Sequence, residues 1–384
     1  MPRRAYYALY LLFFIQPLSW GGWLVRISEI QRDLALNPLS LSIAIAAVPV
    51  GLLLSLMFIS RVYAKLGVRK TTALSLLVFL LFIPLPGFSA NLPVLCCTLF
   101  LVGIGLAAAE LGLNLVADTI EKRGGRPIMG RAHGFWSLGL LAGSVASSGL
   151  SFVGLSVGLT LVLLAVLTGA LAIWVFKVLP DVDVPKVEKP INNNHKERLF
   201  LGWTTVAISF FVFGIAMGEG AMADWASVYM SQVYDVSGGI EGLGFVCYAT
   251  SITLGRFGSD FVRGFLSGRQ ICMLGCGFAI IGVACLVAAP AAFVSYFGFI
   301  CIGLGLAAGF PLAVTAVASQ PVSSVERHLA FLSQIALSGQ LLGPLLIGLT
   351  AQFTGMRLGF AVLIPIFLAS AYLSKWILAP RVPR

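Results

Sequence analysis

Residues 92–118 read LPVLCCTLFLVGIGLAAAELGLNLVAD, an apolar stretch long enough to cross a bilayer that contains one acid, Glu110. At ~1.5 Å per helical residue, Glu110 lies ~18 Å from the basic pair Lys122–Arg123, close to the midplane of a ~30 Å hydrocarbon core. A charged side chain at this depth costs roughly 2.5–3.5 kcal/mol on insertion scales. Glu110 is therefore either a protonated glutamate hydrogen-bonded between helices or a proton or solute site. The second interpretation is favoured because intramembrane acids usually face a cavity or a partner.

The whole chain has the composition of a membrane protein. Of its 384 residues, 59% are hydrophobic and 10% are charged, and the mean hydropathy is +0.97. Soluble domains carry about 25% charged residues, so lipid must be the solvent of this chain. No GxSxG, HExxH or P-loop spacing is present, and the seven cysteines lie in apolar runs without metal-ligand spacing. The sequence therefore predicts that the protein is not an enzyme and binds no cofactor or metal.

The net charge of +10 is concentrated in alternate loops, which argues against binding to nucleic acid. The lysines and arginines of the short turns between apolar runs are Arg3, Arg4, Arg61, Lys65, Arg69, Lys70, Lys122, Arg123, Arg126, Arg131, Lys186, Lys189, Lys196, Arg198, Arg256, Arg263 and Arg269. Only Arg26, Arg32 and Arg357 fall on the other side by these boundaries. This distribution follows the positive-inside rule and predicts that both termini are cytoplasmic.

Long apolar runs predict an all-α integral membrane protein with twelve transmembrane helices. The predicted helices are Tyr6–Val25, Leu39–Ser60, Thr71–Ser89, Leu92–Asp118, Met129–Phe152 and Val157–Leu179, then 200–223, 240–264, 270–289, 292–318, 327–352 and 356–379. A polar linker over 181–199 separates a first bundle, 1–180, from a second, 200–384. Gln16-Pro17 is expected to break the first helix, and Arg26–Asn37 is expected to form an outer loop.

The two halves repeat each other at a constant shift in residue number. Gly103, Gly105, Leu106, Ala107 and Ala108 return as Gly303, Gly305, Leu306, Ala307 and Ala308; Gly139, Leu141 and Gly143 return as Gly339, Leu341 and Gly343; and Arg69 returns as Arg269. A fixed register in three regions predicts two pseudo-symmetric six-helix bundles related by an axis along the membrane normal.

With these features, the chain resembles transporters of the major facilitator superfamily over nearly its whole length. The inner-loop signature of that family is partly present at Ala64–Lys70, although Ala64 stands in place of the family's aspartate. A second copy is read at Gly255–Arg263, which retains an acid. The resemblance implies an inner gate formed by Arg69, Arg256, Asp260 and Arg263, which depends more on Arg256 and Asp260 than on the first copy.

More narrowly, the chain is similar to the fucose-permease-like branch, especially to members from bacterial inner membranes. The similarity is carried by Ala109-Glu110 with Asn114, by His133–Gly139, by Glu219-Gly220 with Asp224-Trp225, and by Gly309–Leu312. Fucose permease uses a fourth-helix glutamate in proton-coupled sugar uptake, which implies this role for Glu110. The first-helix aspartate of that permease is replaced in this region by Gln16. The resemblance implies a multi-pass protein of the cell inner membrane.

Four residues are candidates for proton coupling. Glu110 is the first, because carboxyl groups in apolar surroundings hold their protons up to near-neutral pH. His133 is either a packing residue or a relay partner for Glu110 or Asp118. Glu219 lies between two glycines that suggest a helix break, in the predicted outer half of the seventh helix, and serves as a solute ligand or a second proton site. Asp224 caps the end of that helix or joins the proton site.

Aromatic and amide side chains are the candidates for solute binding, because tryptophan stacks on sugar rings and amides hydrogen-bond to hydroxyl groups. They are Gln16, Trp20, Asn114, Trp136, Trp225, Tyr248, Gln334 and Gln340. A single tryptophan is more often an anchor at the membrane interface than a solute ligand.

Together, these patterns predict a proton-coupled symporter of a sugar or a sugar-like solute that works by alternating access through a central cavity. The expected partners are the solute, protons and the lipid bilayer, and the protein is expected to work as a monomer. The alternative is a proton-driven exporter of amphipathic compounds, including drugs. A membrane scaffold would not need the buried acids, and an intramembrane hydrolase would need a nucleophile that the sequence does not provide.

Overall fold

The computed structural model describes residues 3–125, 128–178, 202–320 and 325–378, apart from the side chains of Ser60, Asp260 and Glu326. The predicted linker 181–199 lies outside these residues. Within them the chain is helical and contains no strand. The α-helices are α1 (Arg3–Ile15), α2 (Leu18–Leu24), α3 (Ile27–Asp33), α4 (Pro38–Leu66), α5 (Val68–Phe82), α6 (Leu92–Gly124), α7 (Met129–Phe152), α8 (Val157–Val178), α9 (Trp203–Tyr234), α10 (Leu243–Arg263), α11 (Gly268–Ala288), α12 (Ala292–Leu306), α13 (Gly309–Ala318), α14 (Val325–Thr354), α15 (Met356–Ala361) and α16 (Leu363–Leu373).

Eleven helical segments in the described ranges are long and apolar enough to cross a membrane. The remaining expected crossing is α10, whose 21 residues span ~31 Å, enough for a hydrocarbon core. This helix is less apolar than the others because Arg256, Asp260 and Arg263 lie in its second half. The all-α membrane fold predicted from the sequence is therefore confirmed.

The chain divides into two compact units. Unit 1 contains mainly α1–α8, and unit 2 contains mainly α9–α16. Each unit presents large apolar side chains on its surface, for example Leu81 and Trp174 in unit 1 and Phe278 and Phe293 in unit 2. This exposure is consistent with lipid as the surrounding solvent.

Glycines bring the same pair of helices into backbone contact in each unit. A Cβ added at Gly139 of α7 would lie 1.9 Å from the carbonyl oxygen of Phe14, and one at Gly143 would lie 1.9 Å from that of Leu18. In unit 2, Cβ atoms at Gly339 and Gly343 of α14 would lie 2.3 Å from the carbonyl oxygens of Phe213 and Met217. The α7 contact therefore recurs on α14, although the partner residue on α9 lies one position earlier than the constant shift predicts. Only glycine permits such a close approach.

The other repeated spacing of the sequence also marks repeated contacts. Gly103 of α6 packs on the backbone of Val48 and Leu52, and Gly303 of α12 packs in the same way on that of Tyr248 and Ile252. A second contact pairs Gly105 with Phe79 of α5, and its equivalent pairs Gly305 with Gly275 and Ala279 of α11. In both contacts the partner residues also follow the constant shift of the repeat. Helix α10 of unit 2 is therefore the equivalent of the membrane-crossing helix α4 of unit 1.

Helix α6 carries Glu110 near its centre. The side chain of Asn91 caps its first turn by accepting a hydrogen bond from the amide of Val94 at 3.1 Å. The helix ends at Gly125, which adopts the left-handed conformation with φ of 63°. Glu110 is ~27 Å along the helix from Leu92 and ~21 Å from Gly124, which agrees with the depth predicted from the sequence.

Several predicted boundaries were wrong. The expected loop Arg26–Asn37 contains a further helix, α3, so the first crossing is longer than predicted. Helix α9 continues to Tyr234 instead of ending at 223, which moves Glu219 from its outer half to its midpoint. The segment Gly255–Arg263, interpreted as a second inner-loop signature, lies inside α10. At the constant shift of the repeat, the turn around Gly67 corresponds instead to the turn after Gly264.

A buried arginine ties together the end of unit 1 where α2 meets α3. The guanidinium of Arg26 is 1% exposed and pairs with Glu29 through Nη2 at 2.8 Å. It also donates to three acceptors on other segments: the carbonyls of Ser147 and Leu155 and the hydroxyl of Thr160. Because Arg26 was assigned to a loop, this cluster could not be predicted from the sequence.

The first prediction concerns the glycine contact. We expect Gly139→Ala to lower the stability of the protein by about 1–3 kcal/mol, because the methyl group must push apart two backbones. The matched control is Gly149→Ala on the same helix, where an added Cβ meets no atom within 4 Å. Alanine is favoured over glycine inside helices, so the control should be neutral or stabilising. Melting temperatures of the two variants in detergent test this, and equal melting would contradict the proposed packing.

The second prediction concerns Arg26. We expect Arg26→Met to destabilise the protein by about 3–5 kcal/mol, because it leaves the Glu29 carboxylate and buried carbonyls without their donor. The control is Arg32→Met, a substitution at an exposed arginine of α3, which should change stability by less than about 0.5 kcal/mol. Thermal unfolding monitored by tryptophan fluorescence distinguishes the two. A loss of similar size in both variants would show that the cluster does not stabilise unit 1.

Candidate functional site

Glu110 lies on the side of α6 that faces away from α5. Gly105 and Gly112, seven residues apart and therefore on one face, pack against Phe79 and Thr72 of α5. The side chain of Glu110 is roughly 140–160° around the helix from these two glycines. The preceding turn is fixed because the hydroxyl of Tyr63 donates to the carbonyl of Ala108 at 2.9 Å. The position of Glu110 is thus set by the rigid packing of α4, α5 and α6.

The carboxyl of Glu110 is half-buried and forms no hydrogen bond or ion pair with any residue that the structure describes. Asn114, one turn further along α6, is also half-buried and forms no hydrogen bond with any described residue. A buried charge is normally paired, and an acid without a partner is more stable in its protonated form. This arrangement leaves Glu110 able to exchange a proton without first breaking an ion pair.

The first crossing is broken at Gln16-Pro17, as predicted, because proline has no amide proton to continue the helix. At this break the side-chain oxygen of Gln16 accepts a hydrogen bond from the indole of Trp136 at 3.0 Å. The amide nitrogen of Gln16 is buried and has no hydrogen-bond partner among the described residues. Two of the predicted solute ligands are therefore in contact, and Trp20 lies half-buried one turn further on.

In unit 2, the structure brings together two residues that the sequence predicts in different sites. Nη2 of Arg256 lies 3.2 Å from Oε1 of Glu219, with 35% and 24% of the respective side chains exposed. Glu219 is at the midpoint of α9, ~24 Å from Trp203 and ~22 Å from Tyr234. Tyr248, another predicted solute ligand, is buried two turns before Arg256 on α10. An ion pair therefore lies deep inside the membrane-crossing region of unit 2.

The exposed part of this ion pair does not face lipid. On α10, Leu254, Phe257 and Phe261 form an exposed apolar stripe, and Arg256 lies roughly 160° away from Leu254 around the helix. On α9, no side chain between Phe211 and Met230 is fully exposed. This part of α9 is covered by other helices, because Gly218 packs on Phe367 and Gly220 packs on the backbone of Gln340. These two glycines serve close packing, and the helix break predicted from them is absent since α9 is continuous.

The remaining predicted residues of unit 2 have different surroundings. Asp224 is half-buried inside α9, so it does not cap a helix end. Trp225 is fully buried, and its indole donates to the carbonyl of Pro344 at 3.0 Å, which fixes α9 to α14. Gln334 and Gln340 are exposed on α14.

The predicted relay and gate residues take part in local contacts. The exposed ring of His133 lies edge-on to Phe13 with centroids 5.6 Å apart, and Asp118 pairs with Lys122 at 2.8 Å. A guanidinium nitrogen of Arg69 donates to the carbonyl of Phe176, close to the end of α8. Arg263 is half-buried in the last turn of α10, and the side chain of Asp260 is outside the described residues.

Sequence reasoning missed the pairing of Arg256 with Glu219. A signal was present, because α10 alternates an apolar stripe with polar residues at helical spacing. A charged residue opposite a lipid-facing stripe points into the protein, so Arg256 could have been assigned to the interior rather than to an inner turn.

Relatives of known sequence match most of the chain. An uncharacterized MFS-type transporter of Yersinia pestis is 26% identical over 354 residues, which cover 91% of this chain and 90% of the relative. The membrane protein MosC of Rhizobium meliloti is 27% identical over 368 residues, which cover 94% of this chain and 87% of MosC.

Solved structures of other membrane transporters share the fold. A mutant of the nucleoside transporter NupG matches with a TM-score of 0.75 at 14% identity, over 97% of this chain and 99% of that one. A bacterial homolog of the human lysosomal transporter Spinster, inward-facing and occupied, matches with a TM-score of 0.72 at 14% identity, over 96% and 95%. The sequence profile of the Major Facilitator Superfamily matches residues 9–324, and the chain therefore belongs to this family of membrane transporters.

Proposed function

We propose that the protein is a proton-coupled symporter of a small polar organic solute, sugar or sugar-like, that exposes its site alternately to the two sides of the membrane. The observation that carries the proposal is the acid at the centre of α6: Glu110 is half-buried and has no partner among the described residues. A carboxyl group that is stable in apolar surroundings only when protonated must change its protonation state when water reaches it. Such a group links proton movement to a change in access.

The solute class follows from the polar groups near the first helix. The buried amide of Gln16 has a free donor next to the indole ring of Trp136. A hydroxyl group satisfies such a donor, and an indole ring stacks on the apolar face of a sugar. NupG, which shares the fold, is a nucleoside transporter, and nucleosides contain a sugar.

The charged ends of the helices support cytoplasmic termini in a cell inner membrane. Lysines and arginines are exposed at the ends of α4 and α6 and at the start of α11, for example Arg61, Lys122 and Arg269. On the opposite side, Arg26 is buried and Arg357 donates to the carbonyls of Val287 and Ala289. These two arginines are used in packing, so the exposed positive charge is even more one-sided than the sequence indicates.

The third prediction tests coupling through Glu110. In proteoliposomes with an acidic exterior, we expect a panel of monosaccharides, nucleosides and sugar acids to contain a solute that accumulates inside. Glu110→Gln should abolish this accumulation but preserve exchange of the solute at equal concentrations, because the amide cannot release a proton. Uptake of the labelled solute and a pH indicator inside the vesicles measure the two fluxes.

The control is Glu121→Gln, the same chemical change on the same helix. Glu121 accepts hydrogen bonds from the amides of Ile128 and Met129, and the oxygen of glutamine can still accept them. Accumulation by this variant should match that of the wild type. Equal uptake by the wild type with and without the pH gradient would reject coupling, and expulsion of amphipathic dyes in exchange for protons would favour the exporter.

A further inference from the structure

We propose that the solute carries a carboxylate, which displaces Glu219 from Arg256 as it binds, so that Glu219 takes up a proton. This inference rests on the proposed transport function and adds the charge of the solute to it. Arginine is the side chain best suited to bind a carboxylate, because its guanidinium presents parallel donors to two oxygen atoms.

Among the described residues, two arginine–glutamate pairs differ in how far they are exposed. Arg26 is 1% exposed and has acceptors on three other segments besides Glu29. The Arg256–Glu219 pair is 3.2 Å apart, longer than the ~2.7–2.9 Å usual for charge-assisted hydrogen bonds, and 35% of Arg256 is exposed. Arg26 is almost inaccessible, whereas the exposed parts of Arg256 and Glu219 can be reached by a small molecule.

The internal repeat shows that the fold does not require this second pair. Gly220 and Gly21 occupy equivalent contacts on α14 and α7, so the residue of unit 1 equivalent to Glu219 is Trp20. Position 256 corresponds in the same way to Leu56, because α10 and α4 are related by the constant shift of the repeat. Unit 1 forms the same helix contacts with two uncharged residues. A role in solute binding accounts for a pair that packing does not need.

Proton uptake follows from electrostatics. Once a solute carboxylate occupies Arg256, Glu219 would remain as an unpaired charge in a low-dielectric region, which is strongly unfavourable. Protonation removes this charge. Before binding, the site holds Arg256⁺ and Glu219⁻, with one solute anion and one proton outside; afterwards it holds Arg256⁺, the solute anion and neutral Glu219. The site therefore gains no net charge, and each anion enters with one proton.

The other charged side chains on segments that pack against α9 include Lys375, whose ammonium group lies 3.6 Å from the ring centroid of Tyr372. On α10 the nearest titratable group is Tyr248, with Asp260 one turn beyond Arg256, and on α9 itself it is Asp224. Helices α12, α13 and α16 contain no charged residue. The charged residues of α14 lie in its first turn, ~18 Å from Gln340, and Arg357 of α15 lies at the Tyr234 end of α9, ~22 Å from Glu219.

The first experiment measures binding to the purified full-length protein by thermal shift and calorimetry. The probes are gluconate, galactonate, glucuronate and lactate, each compared at millimolar concentration with its neutral counterpart, glucose, galactose or glycerol. We expect at least one acid to bind while its neutral counterpart does not. Arg256→Gln should weaken this binding about 30-fold or more, whereas Arg269→Gln, which removes an exposed arginine of α11, should leave it unchanged.

The second experiment uses Glu219→Gln, which removes the competing carboxylate. Because the wild type takes up one proton per anion, its affinity should rise about tenfold for each unit of decrease in pH where Glu219 is ionised. In Glu219→Gln the acid should bind more tightly at neutral pH, and both the pH dependence and the proton uptake seen in weakly buffered solution should disappear. A gain in affinity cannot result from misfolding, so this variant is informative even if Arg256→Gln is unstable.

The outcomes separate this inference from the proposed function. Binding of a neutral sugar that is insensitive to Arg256→Gln, together with gradient-driven uptake of that sugar, would overturn the carboxylate site and leave proton coupling intact. Failure of every acid to bind, or acid binding without proton uptake, would also overturn the inference. Acid binding with the expected pH dependence, together with gradient-driven uptake that survives Glu110→Gln, would support the site and reject the coupling proposed for Glu110.

Discussion

A charge inside this apolar chain must be paired or neutralised. The ionisable groups in its helices differ in how they meet this constraint. Arg26 satisfies it completely, because its guanidinium is surrounded by acceptors and is almost inaccessible. Glu219 satisfies it through an ion pair with Arg256 that is partly exposed. Glu110 has no partner among the described residues and can satisfy it only by protonation. The groups thus range from permanently charged to readily neutralised.

Close helix packing provides a rigid frame that holds these ionisable groups in place. Gly139 and Gly339 bring backbones into contact at equivalent places, and Gly103 and Gly303 do so in a second helix pair. Contacts of this kind have little freedom to adjust, because the atoms involved belong to main chains rather than to flexible side chains. The acids are consequently held at fixed depth and direction, and their protonation depends on access of water and solute rather than on local rearrangement.

The sequence was sufficient to predict the helical membrane fold, the internal repeat and the depth of Glu110. These features depend on hydrophobic length and on periodicity, which are local or repeated properties of the chain. It was insufficient for the pairing of Glu219 with Arg256 and for the Arg26 cluster, because both join residues distant in sequence. The length of α9 was also missed, since Asp224 suggested a helix end whereas packing of Trp225 against α14 extends the helix beyond it. The end of α9 is therefore determined by tertiary packing and not by the polarity of the local sequence.

The two repeats are most informative where they differ. At the glycine contacts the units match, whereas Glu110 and Asn114 correspond to Phe310 and Val314, and Glu219 and Arg256 correspond to Trp20 and Leu56. Each unit therefore carries polar groups that the other replaces with apolar ones, while both keep the same helix contacts. A residue needed for folding is expected in both copies of a repeated unit. Polar groups present in only one copy, at a depth where they lower stability, are best explained by the chemistry of transport.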